Sequence, residues 1–193
     1  SAGSIIMPTI GEVIKETDDR MGKSVNALTR ELAVIRTGRA SSALVESLMV
    51  DYYGVPTPLN QLATISIPEA RSLMIQPWDK ASMKEVEKSI MTSDLGLMPN
   101  NDGNAIRINV PMLTEERRRD LVRLVGRKVE ESNVSVRNIR RDSLETFRSM
   151  ERDKEISQDE SRRAQTELQQ LTDLYIEQMG ELKKTKETEV MEV

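Results

Sequence analysis

Three long segments of this chain repeat apolar residues at intervals of seven, and this spacing constrains the fold more than any other feature. In the first segment, Pro8 to Arg36, the repeat consists of Ile14, Met21, Leu28 and Ile35. Seven residues are close to two helical turns, so residues with this spacing share one face of an α-helix. The pattern predicts a helix that is packed along its whole length.

The second and third segments show the same spacing. From Glu115 to about Asp153, the repeat consists of Val122, Val129, Val136 and Met150, with Ser143 in the gap. From Gln158 to about Lys186, it consists of Leu168, Tyr175 and Leu182. The tetrapeptide SQDE at Ser157 to Glu160 is a capping box, which predicts where the third helix begins. Because each helix has one apolar stripe that it cannot bury alone, we predict a three-helix bundle with near-parallel or antiparallel packing.

Residues 38–111, between the first two helices, have a different composition. They hold six of the seven prolines, the only Trp and the β-prone runs LMVDYY, ATISI, SLMIQP and AIRINV. Asp79 predicts the N-cap of one amphipathic helix, Lys80 to Ser93, and the sequence NNDG ending at Gly103 predicts a tight turn. The order β, β, β, α, β indicates a small domain inserted into the bundle. We therefore predict an α+β protein with a discontinuous bundle, residues 8–37 and 112–193, and an inserted domain, residues 38–111.

Two connections join the predicted domains. The first is RTGRAS at Arg36 to Ser41, which includes Gly38 and Arg39, and the second is VPMLT at Val110 to Thr114. We expect Gly38 to take the left-handed conformation that ends a helix, Pro111 to break the strand that returns to the bundle, and Thr114 to cap the next helix. The two crossings form either a paired hinge, on which the inserted domain moves, or two rigid corners.

Composition excludes several classes of function. The chain has no Cys and no His, which removes thiol nucleophiles, thiolate zinc sites, disulfides, Ser-His arrangements and imidazole ligands. The phosphate-binding motifs G-x-G-x-x-G and G-x-x-x-x-G-K-[ST] are absent, and adjacent carboxylates such as Asp18 and Asp19 point to different sides of a helix. We expect a protein that is not an enzyme and that binds no cofactor and no metal. A carboxylate-dependent hydrolase is the remaining enzymatic alternative.

The sequence shows no membrane span and no signal peptide. No apolar run approaches the roughly 20 residues needed to cross a bilayer, and SAGSIIMP lacks the basic start and long apolar centre of a secretory signal. We expect a protein of the cytoplasm with no membrane partner. Residues 1–7 are expected to form a flexible tail, which is either native or a remnant of processing or cloning.

Arginines are crowded on one face of the second predicted helix, although the formal net charge of the chain is -4. At about 100° per residue, a stripe within roughly 40° is formed by Arg119, Arg123, Arg137, Arg141 and Arg148. Arg140 lies about 60° from this stripe, toward the apolar seam. Residues 113–152 carry 11 Lys and Arg against 8 Asp and Glu, whereas residues 155–193 carry 5 against 10.

The arginine stripe has two interpretations. It is a solvated face whose arginines pair with Glu130, Glu145 and the acidic third helix, or it is a site for the phosphates of RNA. Because aromatic residues make up only 3% of the chain, base stacking is a weak source of affinity, and folded RNA fits better than a single strand.

Several motifs in order resemble the bacterial ribosome recycling factor family, from about Thr9 to the C-terminus. They are IRTGRAS, YYG, PTPLNQLA, SDLGL before PNNDG, LTEERRRDL, VRNIRRD and DKEIS. The resemblance implies a two-domain, L-shaped, monomeric factor that binds the post-termination 70S-type ribosome through large-subunit ribosomal RNA. With elongation factor G and GTP, such a factor splits the ribosome into subunits, and it has no DNA or membrane partner.

The resemblance also implies roles for the arginines. In the family, the arginines of the motif VRNIRRD contact ribosomal RNA, and Arg137, Arg140 and Arg141 match that motif residue by residue. We expect Arg140 to matter most, because packing holds its stem, and Arg137 and Arg141 to contact phosphates. The resemblance leaves two locations open: the cytoplasm of a bacterium, or the stroma or matrix of an organelle of bacterial descent. The alternative is an RNA-binding or scaffold bundle unrelated to the ribosome.

Overall fold

The computed structural model describes residues 7–192, which form an α+β fold, as the sequence predicts. In chain order, the elements are α1 (Ile10–Ala33), β1 (Met49–Tyr52), β2 (Val55–Pro58), β3 (Ala63–Glu69), β4 (Ser72–Pro77), α2 (Met83–Thr92), β5 (Pro99–Asn101), β6 (Ile106–Asn109), α3 (Glu115–Arg152) and α4 (Gln158–Met191). The predicted tail, residues 1–7, lies outside the described residues except for Met7, which is exposed. Within the described part of the chain, no helix combines the length and the apolar character that crossing a membrane requires.

The chain divides into two compact units. One comprises the chain up to Glu31 together with Val125–Thr185, and the other comprises Leu32–Leu124 together with the chain from Lys186 onward. The second unit therefore contains the strands, α2 and the adjoining ends of the long helices. The predicted domain boundaries, 8–37 and 112–193 against 38–111, stay a prediction.

In the first unit, α1, α3 and α4 pack around a shared apolar core. The fully buried side chains of this core include Met21, Leu28, Val136, Phe147, Leu168 and Met179. Burial of Met21, Leu28 and Val136 confirms the predicted seams of α1 and α3, whereas Phe147 of α3 was not among the predicted positions.

On α4, the predicted Leu168 is buried. The predicted Tyr175 and Leu182 are only half-buried, and Thr172 and Met179 are buried instead. Met179 was not among the predicted positions.

On α1 and α3, the predicted series is one residue out of place at two points. Ile14 and Val122 are half-buried, and their neighbours Val13 and Leu121 are buried instead. An α-helix has 3.6 residues per turn, so a strict seven-residue series drifts by about 20° per repeat relative to the helix. The buried face therefore moves to the adjacent residue over a long helix.

Hydroxyl groups bridge α1 and α3 inside the bundle. Thr17 Oγ1 and Ser143 Oγ are both buried and share a hydrogen bond of 2.6 Å. Ser24 Oγ and Ser135 Oγ share a second, part-buried hydrogen bond of 2.9 Å. Ser143, which interrupts the apolar series in the sequence, is thus the partner of a polar residue on the facing helix.

Two predicted helix starts are confirmed by their caps. The Glu160 N–H donates to Ser157 Oγ and the Ser157 N–H donates to Glu160 Oε1, both at 3.0 Å, which is the reciprocal pattern of a capping box. At the start of α3, the Arg117 N–H donates to Thr114 Oγ1 at 3.1 Å. Each cap satisfies backbone donors that the first helical turn leaves free.

The prediction for Gly38 was wrong. Gly38 does not have a positive φ; the glycines that do, within the described residues, are Gly54, Gly96 and Gly103. The helix α1 already ends at Ala33, so Gly38 lies beyond the position where a left-handed residue closes a helix. A side chain at this position therefore carries no strain from a left-handed backbone.

The second unit contains a two-stranded hairpin, β1-β2, and an antiparallel sheet in the order β3-β4-β6-β5. The predicted strands correspond to β1, β3, β4 and β6. The strands β2 and β5 were missed because both are short and include proline, which cannot donate to a ladder and lowers the strand signal. Asp79 Oδ1 accepts the Ala81 N–H at 2.9 Å as predicted, but Lys80–Ser82 form a 3-10 turn and α2 begins at Met83.

Tyr175 of α4 is bonded to α1. Its hydroxyl donates to the Asp18 carboxylate and lies 3.2 Å from the Asp18 carbonyl oxygen. Burial, and then the hydrogen bond to Asp18, raise the pKa of Tyr175 to about 12. The pKa of a tyrosine in an unfolded chain is about 10, so folding keeps the proton on this hydroxyl.

We expect the free energy of unfolding to fall as the pH rises from about 10 to about 12. Because the pKa is higher in the folded state, the contribution of Tyr175 is complete below the unfolded pKa and is lost as the pH passes the folded pKa. In Tyr175→Phe, this part of the pH dependence should disappear. Urea unfolding of both proteins from neutral pH upward measures the difference. The contributions of Tyr52 and Tyr53 to the pH dependence cancel, because both proteins contain these residues. Parallel declines would contradict the assignment.

Candidate nucleic-acid interface

The predicted arginine stripe lies on α3 and is exposed to solvent. The side chains of Arg119, Arg123 and Arg137 are 64%, 67% and 55% exposed. Arg141 and Arg148 are exposed as well. Arg140 is half-buried, which is the geometry that the helical wheel predicts for a residue between the stripe and the seam.

In the second unit, the two stripe arginines are paired within α3. Arg119 lies 2.6 Å from Glu115 Oε1, and Arg123 lies 2.9 Å from Asp120 Oδ1. Exposed pairs at this spacing contribute little to stability, so an incoming phosphate can replace the carboxylate at small cost. These two arginines fit the solvated interpretation in the absence of a ligand.

In the first unit, the stripe arginines are less paired. Arg137 lies 3.5 Å from Glu130 Oε1, as the solvated interpretation predicts. Glu145, the other proposed partner, instead pairs with Arg152 at 3.4 Å. No described residue forms an ion pair or a hydrogen bond with the side chain of Arg141. This part of α3 therefore presents positive charge that carboxylates do not neutralise.

Arg140 is held by hydrogen bonds from α4. Its Nε donates to Gln169 Oε1 at 2.8 Å, and Gln169 Nε2 donates to Asp173 Oδ1 at 2.8 Å. Partial burial of the stem and the bond to Nε restrict the side chain to one orientation. No described residue accepts a hydrogen bond from its two terminal guanidinium nitrogens, so the fork that binds phosphate in a bidentate manner is free.

Arg140 borders a groove of about 610 Å³ between α3 and α4. The α3 wall consists of Arg140, Leu144 and Arg148, and the α4 wall consists of Arg162, Gln165, Thr166, Gln169 and Gln170. None of the described residues that line this groove is acidic, although α4 belongs to the most acidic part of the chain.

Sequence reasoning missed the α4 wall. The run RRAQTELQQ, from Arg162 to Gln170, carries the signal: its arginine, glutamine and threonine residues recur at helical spacing on one side. The charge count over the whole helix combined this side of α4 with the acidic residues on its other sides. The side that lines the groove was therefore not recognised.

The predicted hinge residues lie in the second unit, where Arg36 bonds to the second crossing. Its Nη2 donates to the Pro111 carbonyl oxygen at 3.0 Å, and its Nη1 donates to the Leu95 carbonyl oxygen at 3.4 Å. Burial, and then the charge of Arg117, lower the pKa of the Arg36 guanidinium. Arg36 therefore links the first crossing to the second.

The other predicted hinge residues make local contacts. Arg39 Nε lies 3.7 Å from Glu192 Oε2, and Ser41 Oγ accepts the Ala43 N–H at 3.3 Å to cap a short 3-10 turn. Val110 is buried, and its N–H donates to the Arg71 carbonyl oxygen at 2.8 Å. Between residues 7 and 192, no cluster of three or more Asp or Glu side chains is arranged to hold a metal ion.

Comparison with known proteins gives consistent results. The family model described as Ribosome recycling factor matches residues 28–191. The ribosome-recycling factor of Geobacillus kaustophilus is 54% identical over 182 residues, covering 94% of this chain and 98% of the relative. That of Syntrophomonas wolfei is 50% identical over 184 residues, covering 95% of this chain and 100% of the relative.

Two similar solved structures cover nearly the whole chain. A solution structure of a ribosome recycling factor has a TM-score of 0.79 and 44% identity, and covers 97% of this chain and 100% of the other. The second structure contains the T. thermophilus ribosome recycling factor and the E. coli elongation factor G, bound to the E. coli post-termination complex. Its recycling factor has a TM-score of 0.69 and 45% identity, with coverage of 96% and 100%.

Proposed function

The chain belongs to the ribosome recycling factor family, and on that premise we propose that it binds the post-termination ribosome and acts there with elongation factor G. The similar T. thermophilus factor, seen with elongation factor G on a post-termination complex, supports this role. The family consists of non-enzymatic translation factors. Splitting into subunits draws its energy from GTP on elongation factor G, and the recycling factor acts as a monomer.

Large-subunit ribosomal RNA is the ligand of the arginines on α3. One observation carries this proposal: the terminal guanidinium nitrogens of Arg140 are free, while Gln169 holds its Nε at 2.8 Å. An arginine oriented in this way binds a phosphate without first losing side-chain freedom. Arg137, Arg141 and Arg148 add phosphate contacts, and Arg119 and Arg123 exchange their carboxylate partners for phosphates.

The crossings between the predicted domains, Arg36 to Ser41 and Val110 to Pro111, act as a paired hinge. The support for this is Arg36, whose bond to the Pro111 carbonyl oxygen links the two crossings. The site of action is the bacterial cytoplasm, or the stroma or matrix of an organelle of bacterial descent.

Sedimentation tests the proposed function. Post-termination ribosomes incubated with this protein, elongation factor G and GTP should convert to free subunits, and omission of GTP serves as the control. Ribosomes that stay intact, in a reaction where a known recycling factor splits them, would refute the function. Equal affinity for unrelated structured RNA would favour the alternative, a bundle that binds RNA without the ribosome.

A further inference from the structure

We propose that α4 forms the second wall of the RNA site, so that the backbone of an RNA strand lies in the groove between α3 and α4. In this arrangement, Arg162 of α4 binds phosphate together with Arg140 and Arg148 of α3. The inference rests on the proposed function and assigns to α4 a part of the ribosomal RNA contact.

The first observation behind this inference is the charge of the groove. No described residue pairs with the side chain of Arg148 or Arg162, and the partner of Arg140 is a neutral amide. Elsewhere on α3, the stripe arginines Arg119 and Arg123 have carboxylate partners within 3 Å. The groove therefore brings together three guanidinium groups that no described carboxylate neutralises, and such a group of charges attracts a polyanion.

The second observation concerns the uncharged polar groups of the α4 wall. Gln165 Nε2 donates to Ser161 Oγ at 3.0 Å, which orients its amide, while Gln170 is exposed. Amide and hydroxyl groups can both donate and accept hydrogen bonds, as the 2′-hydroxyl of ribose does. Phosphate-binding arginines beside such groups fit an RNA strand, which presents both phosphates and 2′-hydroxyls along its backbone.

Gln169 is a positioning residue in this arrangement. It contacts Arg140 Nε on one side and Asp173 Oδ1 on the other, so its amide orients the arginine. Gln169→Ala should therefore weaken binding in the wild-type background and have almost no further effect when Arg140 is already Ala. Additive effects of the two substitutions would contradict the positioning role.

A neighbouring pair of arginines supplies the main test. Arg162 lines the groove, whereas Arg163 is exposed on the same helix and does not. Arg162→Gln should lower affinity for isolated large subunits about tenfold and flatten the slope of log affinity against log salt by somewhat under one. Arg163→Gln removes the same charge and should change affinity less than about twofold. Equal effects of the two substitutions would overturn the inference.

The absence of cysteine from the chain permits a direct second test. A photo-crosslinker on Gln170→Cys should react with large-subunit ribosomal RNA. The same crosslinker on Gln178→Cys, an exposed α4 position outside the groove, should give a much lower yield. Crosslinks from residue 170 to a ribosomal protein in place of RNA, or equal RNA yields from both positions, would overturn the inference.

The two levels of the proposal fail differently in these experiments. If the unmodified protein does not bind large subunits, both the proposed function and the role of α4 are refuted. If it binds, and Arg140→Ala weakens that binding while Arg162→Gln and Arg163→Gln are indistinguishable, only the role of α4 is refuted. A loss of affinity in Arg162→Gln but not in Arg163→Gln, together with RNA crosslinks from residue 170, supports both the proposed function and the role of α4.

Discussion

Replacing Phe147 by Ala is expected to lower the free energy of unfolding by about 3–5 kcal/mol. Phe147 is the only phenylalanine in the chain, and its side chain is fully buried among the three long helices. Truncation removes its apolar surface from the core and leaves a cavity that rigid, closely packed helices fill only in part. The fold should persist at low temperature and unfold at a much lower denaturant concentration.

Denaturant unfolding followed by circular dichroism measures this effect. Val134→Ala is the matched control, because Val134 lies on the same helix and is 46% exposed. The control should change the free energy of unfolding by no more than about 0.5 kcal/mol. A similar loss in both variants would show that helix propensity, and not the core, determines stability here.

Removing the Arg140 side chain is expected to weaken binding to large subunits by about one to two orders of magnitude. A charge-assisted contact contributes about 1.5–3 kcal/mol, which corresponds to this range of affinity. Arg140→Gly and Arg140→Ala should be compared, because glycine inside a helix costs about 1 kcal/mol of helix stability relative to alanine. A loss of binding that both variants share results from the missing arginine side chain and not from a change in helix stability.

Arg137→Ala and Arg141→Ala should each cost less than the loss of Arg140. Both side chains are exposed, and neither is oriented by a hydrogen bond from α4. Each lost phosphate contact should flatten the slope of log affinity against log salt by somewhat under one. Binding across a salt series, with circular dichroism to confirm the fold, makes the measurement. Near-normal affinity of all the variants at every salt concentration would mean that the arginines form a solvated face.

The long helices were predictable because each one has an apolar stripe and a side-chain cap that can be recognised locally. Ser157 with Glu160, and Thr114, mark the helix starts in the sequence and in the structure. The choice between Ile14 and Val13 was not predictable from a seven-residue count, because it depends on the accumulated drift of the helix. The strands β2 and β5 depend on their partner strands for hydrogen bonds, and no property of their own short sequences indicates them.

Only the α3 side of the candidate site could be predicted from the sequence. The arginines on α3 share one helix, so a helical wheel is enough to place them together. Gln169 and Arg162 join them only because α4 packs beside α3, and a pairing between two helices does not follow from the period of either one. The hydrogen bond from Arg140 to Gln169 therefore had no counterpart in the sequence analysis.

The buried hydroxyl pair of Thr17 and Ser143 limits slippage between α1 and α3. A stripe that repeats every seven residues lets two helices slide by one repeat, about 10.5 Å, with apolar side chains still facing each other. Such a shift would separate the two hydroxyls, which now share a bond of 2.6 Å. Thr17 would keep its bond to the Val13 carbonyl oxygen, but the buried Ser143 hydroxyl would lose its partner. An unsatisfied buried hydroxyl costs about 1–3 kcal/mol, so this polar contact favours one alignment among several that hydrophobicity alone would accept.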